Sequence, residues 1–351
     1  MRRRALGARL DGVGVDALLV TRLQNVRYLT GFTGSNGQLL VLGDRAVFFT
    51  DGRYTEQSRH EVPDAERVTY ASTFRVALAE HVAGITRLGV EADHLTVAAH
   101  DGLRAALEDV EIVPHTGLVE EQRAMKDDDE RAAIRRAQAS TDAAFEGILE
   151  RFAVGVSEQR IAWELEGLLR DEGSDGLSFD PIVAFGEHAA EPHHHPGTRV
   201  LEEGDVITLD FGGLVDGYHA DMTRTIAFGS LNAELRKVHD VVREAQQAGI
   251  DAVRAGATGV EVDAAARSVI AGAGYGERFV HPCGHGVGLE IHEAPWLGAA
   301  HDAGLPAGSV VTVEPGIYLP GLGGVRIEDM VEVAPDGGRV VGTSIRELIE
   351  L

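Results

Sequence analysis

This sequence is poor in several residue types. It has one cysteine, Cys283, in 351 residues. An intrachain disulfide is therefore excluded, and a reducing cytoplasm is the expected setting. Basic residues are scarce: 32 Lys and Arg stand against 56 Asp and Glu, for a formal net charge of −24. Nucleic-acid binding needs clustered Lys and Arg, as does electrostatic attachment to anionic lipid, so neither class of partner is expected. No stretch reaches the roughly 18 uncharged apolar residues of a membrane span. The opening MRRRALGARLDG begins like a signal peptide, but Arg9 and Asp11 interrupt any apolar run, so a soluble cytoplasmic protein is expected. No glycine-rich phosphate loop follows any candidate strand, which leaves nucleotide binding without support.

What is present is an ordinary globular composition, 44% hydrophobic and 25% charged, long enough for two domains. Over the first 120 residues short apolar runs alternate with helical patterns. Strands are expected at Ala17–Val20, Gln38–Leu42, Ala46–Thr50, Arg67–Tyr70 and Gly89–Glu91, with helices near Arg53–His60, Val76–Ile85 and Ala98–Leu107. That alternation suggests an α/β domain with its own core. The polar stretch Glu120–Glu130 then opens a long helix, with Asp127, Asp128 and Asp129 favouring its positive end. Domains are accordingly expected at 1–122 and 123–351.

The second part carries the chemistry. Asp210, Asp221, His285, Glu314 and Glu328 sit in the stretches LDFGG, YHADMTRT, HPCGHGVGLEIHE, VEPGIY and GVRIEDM. Four carboxylates and one imidazole form a hard, oxygen-rich set that suits a pair of divalent ions better than a thiolate zinc site would. A hairpin centred near Val215 and Asp216 would put Asp210 directly opposite Asp221, where the two acids repel unless a cation lies between them. One strand over Val325–Val333 would turn Arg326 and Glu328 to one face and leave Asp329 in a structural role. Glycines 284, 286 and 288 strip bulk from around His285, and His281 and His292 flank it as candidate proton carriers or oxyanion partners. The run His193–His195 reads as an exposed loop with at most one ring facing a site. Cys283 reads as a small buried hydrophobe.

Taken in order, these stretches resemble the pita-bread metallopeptidases, the group that holds aminopeptidase P, prolidase, methionine aminopeptidase and creatinase. The resemblance covers about residues 125 to 351. NVRYLTGFTGSNG and FFTDGRYTEQ resemble a creatinase-type N-terminal domain. It implies an α+β chain: a C-terminal pita-bread domain preceded by an α/β creatinase-type N-terminal domain. It also implies two divalent metal ions held by Asp210, Asp221, His285, Glu314 and Glu328, with manganese first and cobalt or zinc as alternatives. By position, Glu314 is also the proton acceptor, His281 and His292 orient substrate and stabilise the oxyanion, and His193 and Arg326 line the substrate pocket. The reaction implied is hydrolysis of the Xaa-Pro peptide bond by a metal-activated hydroxide. The N-terminal segments favour an Xaa-Pro aminopeptidase acting on peptides; the alternative is an Xaa-Pro dipeptidase (prolidase). Creatinase uses no metal, and a non-catalytic binding module would have lost ligands, so both stand further off. A homodimer is implied by the same resemblance.

Overall fold

The computed structural model describes residues 1–351, which divide into two compact units, Met1–Arg123 and Ala124–Leu351. The first unit is built on a six-stranded mixed sheet. Its strands lie in the order Glu66–Tyr70, Arg45–Asp51, Gln38–Leu42, Ala17–Val20, Arg87–Glu91 and Glu111–His115. Ala17–Val20 is buried along its whole length and pairs antiparallel on one side and parallel on the other. An interior strand covered on both faces reads as a continuous apolar run, which is why ALLV shows no alternation. The sixth strand was not expected. Glu111–His115 contains Pro114, which marks a strand break in sequence but is tolerated at an edge, where the missing N–H costs no ladder bond. The expected helix over Val76–Ile85 runs instead over Phe74–Ala79.

The second unit opens with a helix over Asp128–Ile148. Its N-cap Asp127 accepts from the Glu130 N–H while the Glu130 side chain accepts from the Asp127 N–H, a reciprocal capping box. This helix and Glu158–Asp171 pack on a three-stranded sheet of Met222–Ala227, Val206–Phe211 and Ile182–Phe185. The helices Ala233–Ala252 and Gly259–Gly272 pack on a five-stranded sheet. Its order is Glu293–Leu297, Gly284–Gly286, Val310–Val313, Asp329–Ala334 and Gly337–Val340. Gly316–Leu319 and Gly323–Arg326 form a separate two-stranded ribbon. Helices packed on antiparallel sheets give the expected α+β architecture. No helix is long and apolar enough to cross a membrane.

Two strand expectations need correction. The hairpin turns at Asp216-Gly217, not at Val215–Asp216. Both turn residues have positive φ, +50° and +72°, as a two-residue type I′ connection requires. The ladder is thereby displaced by two residues, so that Asp210 faces Thr223 and not Asp221. A shift of two preserves face, so the acids remain on one side as diagonal neighbours. The second correction concerns Val325–Val333. It is two strands, Gly323–Arg326 and Asp329–Ala334, which join different sheets and leave Ile327 and Glu328 at the junction.

Candidate active site

Each of the five candidate ligands sits at a place where a strand ends or is held tightly. Asp210 lies near the end of Val206–Phe211, and Asp221 immediately precedes Met222–Ala227. His285 is the middle residue of Gly284–Gly286. Glu314 follows Val310–Val313, where Pro315 stops the ladder. Glu328 occupies the junction between its two strands. All five line one cavity of about 280 Å³. The glycines beside His285 serve the backbone more than a ligand. A Cβ on Gly284 would lie 2.0 Å from the Thr312 carbonyl oxygen, and one on Gly286 would lie 2.5 Å from that of Ala294. Bare backbone at both positions lets neighbouring strands close on either side of the imidazole.

The polar contacts orient these groups toward a common point. His285 Nδ1 lies 3.1 Å from the Gly286 carbonyl oxygen. Donation there leaves Nε2 with its lone pair, 3.5 Å from Asp221 Oδ2 and 3.4 Å from Glu314 Oε1. Ligand atoms of Asp221, His285 and Glu328 all lie within 4.8 Å of one another. Thr223 Oγ1 donates to Glu328 Oε2 at 2.7 Å, and Thr312 Oγ1 donates to Glu314 Oε1 at 3.1 Å. Asp210 Oδ2 accepts from Arg326 Nη2 at 2.6 Å, whereas its buried Oδ1 has no hydrogen-bond partner.

Four carboxyl groups here meet one buried guanidinium. Burial, and then the charge of Glu328, pushes Asp221 well above the usual carboxylate range. Burial and the charge of Glu314 do the same to Glu328. Glu314 is pushed up to about 8, again by burial first. Burial lowers His285 to about 4, so its imidazole is neutral at pH 7. Raised acids, a neutral imidazole with a free lone pair and an orphaned buried carboxylate oxygen make up a donor set that lacks positive charge. Hard divalent cations fit it.

The cavity walls hold the other expected residues. His193, His281, His292 and Arg326 all line it, together with Phe179, Ile182, Ile291 and Trp296. His281 Nε2 lies 2.8 Å from the Tyr318 hydroxyl, and burial lowers its pKa to about 4. His292 packs edge-on against His285, with ring centroids 4.3 Å apart. Arg326 is spoken for: Nε donates to Thr223 Oγ1, Nη1 to the Tyr318 hydroxyl and the Pro192 carbonyl, and Nη2 to Asp210. Tyr318 was not singled out from sequence, although it stands in VEPGIY. Its register opposite Gly324 puts it on the face of Arg326, a pairing that only the fold supplies. His194 was also missed. Cys283 is fully buried, and burial pushes its thiol up beyond ordinary reach. Asp329 is structural: it accepts from Arg224 at 2.7 Å and Gln246 at 2.7 Å.

The model for metallopeptidase family M24 matches residues 132–335, and that for the creatinase/prolidase N-terminal domain matches residues 2–125. The chain belongs to metallopeptidase family M24. It is 42% identical to the uncharacterized peptidase YqhT of Bacillus subtilis (strain 168) over 97% of each chain. A solved Xaa-Pro dipeptidase from Bacillus anthracis is 43% identical, with a TM-score of 0.98 over 100% of this chain and 99% of that one. The X-Pro aminopeptidase from Thermotoga maritima MSB8 is 35% identical, with a TM-score of 0.91 over 98% and 100%. The second unit is thus a pita-bread peptidase domain and the first a creatinase-type domain.

Proposed function

We propose that this metallopeptidase is an Xaa-Pro dipeptidase, with Asp210, Asp221, His285, Glu314 and Glu328 holding two divalent cations. The observation that carries the metal reading is their convergence in one cavity with raised acids and a neutral imidazole. When bound, such a pair polarises the scissile carbonyl and supplies an activated water. Manganese is the proposed metal on the hardness of the donors, with cobalt or zinc as alternatives.

The chain's own groups complete the chemistry. Glu314 takes a proton from the attacking water on a carboxylate oxygen and returns it to the proline nitrogen. His292, on the cavity wall, donates to the developing oxyanion. His281 is held by the Tyr318 hydroxyl and presents its ring to the substrate. His193, Pro192 and Phe179 receive the proline ring. Arg326, with most of its donors engaged, braces Asp210 and Tyr318 and forms part of the pocket wall. A homodimer is proposed on family resemblance.

Dipeptidase is preferred to aminopeptidase on two grounds. A full-length match at 43% identity is to a protein named Xaa-Pro dipeptidase, and proteins named dipeptidase or prolidase recur among the full-length structural matches, whereas proteins named Xaa-Pro aminopeptidase stand at 35–37%. The cavity of about 280 Å³, at the lower edge of the ~300–1,000 Å³ of common ligand pockets, also has room for a dipeptide. Hydrolysis of Ala-Pro and of Ala-Pro-Ala by Mn²⁺-loaded protein tests the choice. Cleavage of Ala-Pro alone is expected. Efficient release of alanine from the tripeptide returns the aminopeptidase reading, and cleavage of neither overturns Xaa-Pro specificity.

A further inference from the structure

A second carboxylate–imidazole cluster lies outside the five ligands and is not explained by them. Glu158 is the first residue of the helix Glu158–Asp171, and its side chain is fully buried. Its Oε1 accepts from the Phe185 N–H at 3.0 Å and lies 2.8 Å from His188 Nδ1. Its Oε2 accepts from the Gly197 N–H at 3.1 Å and lies 3.0 Å from His194 Nε2. One carboxylate therefore gathers four points of the segment 185–197. That segment carries Pro192 and His193 into the cavity.

His194 is held from both sides. Its Nδ1 lies 2.9 Å from Glu191 Oε2 while Nε2 faces Glu158, so both ring nitrogens meet carboxylate oxygens. Only the imidazolium donates from both nitrogens. Burial opposes that charge, but the bonds to Glu158 and Glu191 outweigh it and raise His194 above its ordinary value. Burial likewise opposes ionised Glu158, and the donors from His194, Phe185, His188 and Gly197 bring it below. The His188 ring packs against His194 at a tilt of 35°, with ring centroids 4.4 Å apart. The cluster needs no metal to be satisfied: every oxygen of Glu158 already has donors at hydrogen-bond distance.

We propose that Glu158 and His194 form a latch that fixes the loop around His193, and so are positioning residues for substrate in the neighbouring cavity. The inference rests on the reading above in which His193 contacts the substrate. His194 adjoins His193 and points away from the cavity into the latch, so an immobilised His194 removes the backbone freedom His193 would otherwise have.

The test is a double-mutant cycle on Mn²⁺-loaded protein with Ala-Pro, read alongside deuterium exchange. His194→Phe keeps an aromatic ring and removes both donors. It is expected to raise KM about tenfold with kcat changed much less, and to speed exchange over 185–197 while the rest of the unit is unchanged. In the His193→Ala background His194→Phe should have no further effect on KM, because its action passes through His193. Glu158→Gln should speed exchange over the same segment. Equal, additive losses in both backgrounds, or exchange that rises throughout the unit, overturn the latch in favour of a general structural role. An unchanged KM with His194→Phe overturns it where His193→Ala itself raises KM. If His193→Ala is silent, the substrate reading has failed as well, and the exchange experiment alone still shows whether the segment was held.

Discussion

Two clusters of carboxylate and imidazole lie in the same unit and behave oppositely. In the one built on Glu158, both Glu158 oxygens have donors, that acid is lowered and His194 is raised. In the one built on Asp221, Glu314 and Glu328, the acids are raised, His285 is lowered and Asp210 Oδ1 has no partner. Similar side chains thus give a closed lock in one place and an incomplete site in the other. The difference is the supply of positive charge. Imidazolium and backbone N–H groups complete the first, whereas the second has only Arg326 for four carboxyls. Buried acids left without a counter-charge mark a place that a cation is meant to fill.

The largest expected effect comes from removing that cation. A chelator should abolish Ala-Pro hydrolysis, and Mn²⁺ should restore it, while deuterium exchange at 185–197 stays slow because the Glu158 cluster is complete without metal. Next, Glu314→Gln should lower kcat by roughly 10²–10⁴-fold through loss of the proton carrier, as steady-state kinetics on metal-loaded protein would show. Retention of full turnover would remove Glu314 from the proton path. Smaller again, Tyr318→Phe breaks the hydroxyl bridge between His281 and Arg326, and should cost about fivefold to tenfold in kcat/KM, the worth of about one hydrogen bond.

The smallest effect separates the clusters by pH. An acid whose folded pKa is raised contributes stability that is present below its unfolded value and lost as pH rises through the folded one. With Glu314 at about 8, metal-free protein should lose several degrees of Tm between about pH 5 and pH 8, and metal-loaded protein should not. Glu158 has the opposite sign: its contribution is present above the ordinary Glu range and is lost as pH falls through its lowered value. His194 contributes fully below the ordinary His value and loses its contribution as pH rises through its raised one. Thermal melts from below the ordinary Glu range up to about pH 8 in Glu314→Gln, Glu158→Gln and His194→Phe would assign each limb.

Much of the incomplete site was legible in sequence and little of the lock was. Asp210, Asp221, His285, Glu314 and Glu328 each stand in a short distinctive stretch, and strand parity alone put Asp210 and Asp221 on one face. Register was not legible, because parity cannot tell a hairpin from the same hairpin slid by two residues; the Asp216-Gly217 turn decided it. The break before Asp329 escaped because both halves of Val325–Val333 alternate alike. In the first unit, Pro114 concealed an edge strand. The Glu158–His194 pair is separated by 36 residues, and the histidine run suggested only an exposed loop. Nothing local links a helix's first residue to that loop; only the tertiary fold does.

The most direct test of the account is calorimetric titration of Mn²⁺ into metal-free protein at pH 7, in two buffers of different ionisation enthalpy. With Glu314 at about 8 and its neighbouring acids raised, binding of two ions per chain with release of protons to the buffer is expected. Binding without proton release, or no binding at all, would contradict the claim that this buried acid cluster is completed by cations.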